Sequence, residues 1–409
     1  MKKIIAMMMV LIVAIGICGC GVSNGVVNHL TGDSGFKGDY EGGILEDAMD
    51  GPFEAVPEGG EPGCEEPDNN QQIGAGLLTA GQWKDLKDLE FWKKLLNRND
   101  WYNLMETRNL YANKVVSVSV VDSEENPCFN VGVELLNKEG DVIYSAITDV
   151  YGSAYLLCDL NNSGEEAYAV RVNSNDILLE GKNEIIVSTT EAGISVTELD
   201  LMFMIDTTGS MSDELEYLEK EVKDVIKRVA NKNEALSINI SVNFYRDESD
   251  EYVVLDNPFY TDINKIKEIL KEQSADGGGD YPEAVHTAIN NAVNEHQWRE
   301  NSVKLCFMVL DAPPHSEKEI AGIDGMLKEY VMDAAKKGIR IIPVASSGVD
   351  VETEFLMRSY AVMTGGTYIF LTDDSGIGGS HLEPTVGDYE VKALNDLMVE
   401  VILSYCKLQ

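Results

Sequence analysis

The second half of the chain alternates between wholly apolar stretches and amphipathic ones. Wholly apolar stretches indicate parallel strands, because both faces of such a strand are covered by helices. Strands are predicted at 199–206, 237–244, 303–310, 339–345 and 367–371. Helices are predicted near 213–231, 262–273, 282–296, 325–337, 352–363 and 389–405. The alternation predicts an α/β domain over 198–409 with a doubly wound, mainly parallel sheet.

The region before this domain has a hydrophobic period of two, which is typical of strands with one buried face. Val116, Val118 and Val120 alternate with polar residues, and comparable segments recur as far as Val187. Residues 114–197 are therefore predicted to form an all-β sandwich of immunoglobulin-like size, which makes the chain multidomain. The stretch Thr148-Asp149-Val150-Tyr151-Gly152-Ser153-Ala154 resembles a turn of transthyretin-like or carboxypeptidase-regulatory modules, where the Asp and the Gly mainly hold the turn.

Apolar residues recur near helical spacing in the segment that precedes the sandwich. They are Trp83, Leu86, Leu89, Trp92, Leu95 and Leu96. This spacing predicts that 73–113 is helical. The tryptophans are interpreted as packing anchors.

The N-terminus carries a short apolar run and then an acidic stretch. Lys2 and Lys3 precede an apolar run that ends near Cys20 and is too short for a comfortable membrane span. Residues 1–20 resemble a bacterial lipoprotein signal, which implies lipidation of Cys20 and an extracytoplasmic protein anchored to the bacterial cell membrane. An ordinary secretory signal or an uncleaved short anchor is the alternative. Residues 21–72 hold twelve acidic residues and one lysine, which predicts a disordered spacer.

The formal net charge of the 409 residues is −38. A field of this sign repels phosphate, so nucleic acid is not expected as a partner.

The strand at 199–206 leads into Asp206-Thr207-Thr208-Gly209-Ser210. Asp206, Thr208 and Ser210 offer one carboxylate and two hydroxyls on a tight loop. Hard divalent cations prefer such oxygen ligands, and Mg²⁺ keeps several waters besides. Asp311 closes the strand at 303–310, and ligands of open α/β sheets bind at these carboxyl ends. One divalent cation is predicted here, with Mg²⁺ favoured and Ca²⁺ or Mn²⁺ as alternatives.

This arrangement resembles the metal-ion-dependent adhesion site of von Willebrand factor type A domains, and the likeness covers about half of the chain. Gly277-Gly278-Gly279-Asp280-Tyr281-Pro282-Glu283-Ala284, Tyr245-Arg246-Asp247 and Asp311-Ala312-Pro313-Pro314-His315 resemble a branch of that family with a GGGD-x-PEA motif, including domains linked to alpha-kinases. The resemblance implies that Asp280 is a further metal ligand, where adhesion receptors carry Thr.

Two interpretations of Asp280 stay open from the sequence. It is either a metal ligand, direct or through water, or the N-cap of the next helix in a capping box with Glu283. His315 beside the site is interpreted as a loop residue, and Arg246 with Asp247 as a structural ion pair.

The resemblance implies a surface-tethered, divalent-metal-dependent, non-enzymatic module for adhesion or assembly. Its partner would be a protein on the cell envelope or on another cell. Two alternatives remain: an envelope scaffold in which the metal only stabilises loops, and a metal-assisted hydrolase. The second lacks support because the sequence has no His-Glu-x-x-His motif, no Gly-x-Ser-x-Gly elbow and no phosphate-binding loop.

Overall fold

The computed structural model describes residues 74–190, 195–232 and 236–408. The predicted signal at 1–20, with Cys20, and the predicted spacer at 21–72 lie outside this part. No helix in the described ranges has both the length and the apolar character that a membrane crossing needs.

The segment before the sandwich begins with a strand, β1 (Thr79–Trp83). A 3₁₀ turn at Asp85–Lys87 and two helices follow, α1 (Leu89–Leu96) and α2 (Asn99–Thr107). The prediction that 73–113 is helical is therefore wrong at its start. β1 pairs with strands from the far end of the chain, and this pairing overrides the weak helical spacing of its residues.

Seven strands follow α2 in two sheets, one of three strands and one of four. They are β2 (Val115–Val121), β3 (Gly132–Leu136), β4 (Val142–Ile147), β5 (Ser153–Leu157), β6 (Ala169–Val172), β7 (Asn175–Leu178) and β8 (Glu184–Ser188). The strand orders are β5-β2-β8 and β4-β3-β6-β7. Period-two burial along β2 agrees with the predicted alternation, while the immunoglobulin-like character of the region stays a prediction.

The remaining chain alternates strands and helices. The strands are β9 (Glu198–Asp206), β10 (Ser237–Tyr245), β11 (Val254–Leu255), β12 (Val303–Leu310), β13 (Ile339–Ala345), β14 (Tyr368–Leu371) and β15 (Lys392–Ala393). The helices are α3 (Leu215–Lys232), α4 (Ile263–Lys271), α5 (Val285–Asn290), α6 (Ile323–Lys337), α7 (Val351–Thr364) and α8 (Leu394–Tyr405). The five predicted strands are confirmed to within one residue at either end.

An eight-stranded mixed sheet runs in the order β11-β10-β9-β12-β13-β14-β1-β15. The five strands from β10 to β14 in this order are parallel, whereas β11, β1 and β15 pair antiparallel with their neighbours. The central strand β9 is buried on both faces. Leu201 and Phe203 belong to the apolar core with α3, α4 and α8, and Met202 and Met204 to the core with α5, α6 and α7. Its carboxyl end is thereby held between two helical layers.

The two small sheets and the helices α1 and α2 share that second core. The hydroxyl of Tyr144 in β4 donates to the carbonyl of Met363 at 2.7 Å, and Arg340 in β13 donates to the carbonyl of Ile147 at 2.7 Å. The strand region and the α/β region are therefore joined by buried contacts.

Candidate metal centre

Asp206 ends β9 and is fully buried at the carboxyl edge of the sheet. Its Oδ1 accepts hydrogen bonds from the backbone nitrogen of Thr208 at 2.9 Å and from the Thr208 hydroxyl at 2.7 Å. The Thr208 hydroxyl lies 3.2 Å from the Ser210 hydroxyl. A 3₁₀ turn at Gly209–Asp213 closes the loop immediately afterwards. The loop thus brings together three of the predicted ligands.

Asp311 follows β12 directly, and β12 lies beside β9 in parallel register with Val309 opposite Ile205. Neighbouring parallel strands deliver their carboxyl ends to one edge, so Asp206 and Asp311 face the same place. Both side chains are buried. Oδ2 of Asp206 and Oδ1 of Asp311 have no hydrogen-bond partner among the described residues.

Glu283 brings a third buried carboxylate to this edge. Only 2% of it is exposed, and its Oε2 also has no hydrogen-bond partner in the described part of the chain. The backbone nitrogen of Glu283 donates to the carbonyl of Pro313 at 3.0 Å, and the residue forms a β-bridge with Pro314. The backbone pairing fixes Glu283 beside the loop that follows Asp311. From the sequence, Glu283 was not expected among the metal ligands, and the apolar Ala284-Val285 after it was the available signal for burial.

The glycines before Glu283 allow their loop to approach the loop of residues 206–210 closely. Gly277 and Gly278 have φ of 78° and 70°, a left-handed conformation that favours glycine. The carbonyl of Gly277 accepts a hydrogen bond from the nitrogen of Gly209 at 3.2 Å. A Cβ on Gly278 would lie 3.3 Å from Glu283 Oε1 and 3.4 Å from Thr208 Cβ. The glycine run therefore closes one side of the site.

The three carboxyl groups are poorly solvated, and neighbouring negative charges add to the effect of burial on their pKa values. Burial, and then the charge of Asp311, raises the pKa of Asp206 well above its usual range. Burial also raises the pKa of Asp311, although a hydrogen bond from Ser210 opposes this. Burial and the charge of Asp206 raise the pKa of Glu283 to about 9. Protons held by this cluster compete with any cation that binds there.

Asp280 is exposed, and its carboxylate lies within 4.8 Å of a ring nitrogen of His315 and a carboxylate oxygen of Glu319. The capping alternative for Asp280 is wrong, because α5 begins at Val285 with Ala284 in the N-cap position. The bridge between Glu283 and Pro314 keeps the chain before α5 non-helical. The assignment of Asp280 to the Asp206 site stays a prediction.

Arg246 and Asp247 do not pair with each other as interpreted from the sequence. Arg246 donates to the carbonyl of Ser274 at 2.9 Å and lies over the ring of Tyr252. Asp247 instead lies 2.7 Å from Nε2 of His315. The buried carboxylate of Asp247 therefore fixes the orientation of the His315 ring.

Arg108, at the end of α2, holds the loop that follows Asp311. It donates to the carbonyls of His315 at 2.7 Å and Pro314 at 2.9 Å, and it pairs with Asp324 and Glu352. Sequence reasoning gave no role to this residue, because its partners come from more than two hundred residues away.

Glu214 is a second support for the sheet edge that carries Asp206 and Asp311. Nε2 of His381 lies 3.1 Å from Glu214 Oε1, and Nδ1 of His381 lies 2.8 Å from Asp373 Oδ1. Glu214 contributes to the raised pKa of Asp311 after burial. His381 thus connects the long loop before α8 to Glu214, beside Asp311.

The residues at this edge fit a divalent cation. Two carboxylates, two hydroxyls and the neighbouring Glu283 form an all-oxygen donor set, which suits a hard cation. The buried oxygens of Asp206, Asp311 and Glu283 that lack hydrogen-bond partners are costly unless something satisfies them. A cation bound between Asp206 and Asp311 would satisfy the oxygens of these two aspartates.

Comparison with known proteins finds a family model that matches part of the chain. Residues 200–341 match the family model of the von Willebrand factor A domain. Two curated relatives are each 26% identical: an ariadne-like RING finger protein, R811, of Acanthamoeba polyphaga mimivirus over 186 residues, and alpha-protein kinase vwkA of Dictyostelium discoideum over 176 residues. Each alignment covers 42% of this chain, but the chain spans only 18% and 27% of their lengths.

One solved structure, the conserved hypothetical protein BatB from Bacteroides thetaiotaomicron, aligns with 51% of this chain and 99% of its own, at 14% identity and a TM-score of 0.35.

Proposed function

We propose that this chain, whose residues 200–341 form a von Willebrand factor A domain, is a divalent-metal-dependent protein-binding module without enzymatic activity. Such domains commonly mediate contacts between proteins. The observation that carries the metal dependence is a pair of buried carboxylate oxygens at one sheet edge, Asp206 Oδ2 and Asp311 Oδ1, for which the described chain offers no hydrogen-bond partner.

Asp206, Thr208, Ser210 and Asp311 would hold the cation, with Glu283 beside them and Mg²⁺ as the favoured ion. When bound, the cation supplies an electrophilic coordination position that an oxygen of the partner protein can fill. The chain's own part is positional. β9 and β12 fix the two aspartates, and the Thr208 hydroxyl orients Asp206 through its hydrogen bond.

The charge of the site bears on the kind of partner. Three carboxylates, those of Asp206, Asp311 and Glu283, around one divalent ion leave one net negative charge. A site of this charge holds its cation tightly but attracts an acidic ligand weakly. The partner is therefore proposed to contribute a neutral oxygen or to bring basic residues around it.

We also propose that the module is extracytoplasmic and tethered to a bacterial cell membrane by lipid on Cys20. The support is the sequence of residues 1–20. Metabolic labelling with a fatty acid tests this. Label should be incorporated into the unaltered chain and lost in Cys20→Ser. Equal labelling of both would refute the anchor.

The metal dependence is tested by thermal unfolding of the full chain with chelator, Mg²⁺, Ca²⁺ or Mn²⁺, beside Asp206→Asn. The melting temperature should rise with Mg²⁺ in the unaltered chain and not in the variant. Binding of an envelope protein should then require Mg²⁺ and unaltered Asp206. A melting shift without any metal-dependent binding would favour the scaffold in which the ion only stabilises loops. No shift with any cation would refute the site.

A further inference from the structure

Outside the Asp206 site, Asp280, His315 and Glu319 bring three ligand atoms within 4.8 Å of one another. We propose that these three residues form a second divalent-cation site, one that takes a cation with affinity for imidazole, such as Zn²⁺. It differs from the Asp206 site in containing a nitrogen ligand.

The orientation of His315 carries the proposal. The residue is 7% exposed, and its Nε2 lies 2.7 Å from Asp247 Oδ1. An ionised carboxylate only accepts hydrogen bonds, so Nε2 carries the hydrogen and Nδ1 keeps its lone pair. Nδ1 is buried, has no hydrogen-bond partner among the residues that the structure describes, and lies 3.7 Å from Glu319 Oε2. A carboxylate behind the distal ring nitrogen is the usual partner of a metal-binding histidine.

The spacing of the ligand atoms suits a small cation. Ligands at about 2.1 Å from a tetrahedral zinc ion are roughly 3.4 Å apart. The 3.7 Å between His315 and Glu319 is close to this, and the carboxylate of Asp280 completes the group within 4.8 Å. Asp280 is exposed, so its side chain has room to turn toward the other two ligands.

Neighbouring residues hold His315 and Glu319 in place. Arg108 binds the carbonyl of His315 at 2.7 Å, and Glu319 Oε2 accepts hydrogen bonds from the nitrogen and hydroxyl of Ser316 at 2.7 and 2.8 Å. One nitrogen and two carboxylates favour Zn²⁺ over Mg²⁺ or Ca²⁺, because imidazole is a poor ligand for hard cations.

A cation here would join two loops that also serve the first site. Asp280 lies three residues before Glu283, and His315 lies four residues after Asp311. Three protein ligands leave at least one coordination position for water or a partner's side chain. The second ion would therefore restrain the loops that carry Glu283 and Asp311.

Zinc binding by the full chain tests the proposal. Zn²⁺ is counted after equilibrium dialysis for the unaltered chain, Asp280→Asn, Glu319→Gln, the double variant and Asp206→Asn. Glu272→Gln, an exposed carboxylate at the end of α4, is the matched control. The affinity for one Zn²⁺ should fall at least about tenfold in the Asp280 and Glu319 variants and stay unchanged in Asp206→Asn and Glu272→Gln.

A second measurement tests the histidine without mutating a buried residue. Pulsed electron paramagnetic resonance with Cu²⁺ as the probe should show imidazole nitrogen coupling in the unaltered chain and in Asp206→Asn. The coupling should be lost in the double variant. Zinc uptake that is equal in the double variant and the unaltered chain would overturn the proposal. So would a zinc ion that is lost with Asp206, which would place it in the first site.

Discussion

Asp85 and Arg358 form a bidentate ion pair, with Oδ1 to Nη2 at 2.6 Å and Oδ2 to Nε at 3.0 Å, and both side chains are at most 1% exposed. The guanidinium also lies over the rings of Trp92 and Trp101, at 5.4 and 5.2 Å from their centres. Asp85 precedes the strand region and Arg358 belongs to α7. The pair therefore joins the segment before the strand region to a helix of the α/β region in one desolvated contact.

Asp85→Ala should lower the free energy of unfolding by about 3–5 kcal/mol, because it leaves the buried Arg358 charge without one of its two carboxylate partners in the described chain, with Glu354 and the carbonyl of Thr385 remaining. Urea denaturation followed by circular dichroism measures this. The control is Asp88→Ala, which removes the exposed N-cap of α1 and should cost about 1 kcal/mol. Equal losses in the two variants would mean that the buried pair contributes nothing beyond a surface contact.

The metal-free protein should lose stability as the pH rises. The folded-state pKa of Glu283 is about 9 and that of Asp206 is also raised, so the folded chain holds more protons than the unfolded chain above about pH 4.5. Unfolding then releases protons, and the free energy of unfolding falls between about pH 5 and 9, by at least about 2 kcal/mol. Denaturation in chelator at several pH values measures the fall.

Mg²⁺ should reduce this loss, since it binds the deprotonated carboxylates. Asp206→Asn should also reduce the loss of stability, because it removes the repulsion between the charges of Asp206 and Glu283. A metal-free protein that gained stability over the same pH range would contradict the prediction.

Glu283→Gln and Asp280→Asn distinguish the two carboxylates that could serve the first site. Because Glu283 is buried beside Asp206 whereas Asp280 is exposed, Glu283→Gln should weaken Mg²⁺ binding at least about tenfold and Asp280→Asn should leave it nearly unchanged. Isothermal titration with Mg²⁺ measures both affinities. A larger loss of Mg²⁺ affinity in Asp280→Asn than in Glu283→Gln would support the prediction from the sequence that Asp280 is a ligand of the first site.

His381→Gln should cost more stability at pH 6 than at pH 9. Burial disfavours the charged ring, but the hydrogen bonds to Glu214 and Asp373 outweigh it and raise the pKa of His381. A raised histidine pKa gives stability that is present below about pH 6.5 and lost as the pH rises through the folded value. Denaturation of both proteins at the two pH values tests this.

His296→Gln is the opposite control. Burial lowers the pKa of His296 despite the charge of Asp256, so its neutral form is favoured in the folded state. The unaltered His296 should therefore destabilise the protein at low pH. If the two variants had the same pH dependence, the hydrogen bonds of His381 would not be controlling its charge.

The sheet strands of the α/β region, and the position of Asp206 and Asp311 at their carboxyl ends, followed from sequence patterns alone. Strands covered on both faces are apolar throughout, and β9 and β12 are of this kind, so the edge that carries Asp206 and Asp311 could be located. These features are local in the sequence.

What the sequence missed depends on contacts between distant segments. β1 has the residues Thr79-Ala80-Gly81-Gln82-Trp83, which show no strand pattern, and it is a strand only because β14 and β15 flank it. Glu283 resembles part of a capping box, and it becomes a site residue only because its backbone pairs with Pro313 and Pro314. No local propensity reports either pairing.

The place of β1 in the sheet changes the route by which mechanical load enters the molecule. The seven strands of the two small sheets lie between β1 and β9 in the chain, and both β1 and β9 belong to the large sheet. A force on the N-terminal side therefore reaches the large sheet without first passing through the small sheets. A pull on the chain before Gly76 is borne first by Glu221, which holds the amide nitrogens of Gly76, Leu77 and Leu78, and then by the hydrogen bonds of β1 to β14. Tension from the N-terminal side would therefore act on the same sheet whose strand ends carry Asp206 and Asp311.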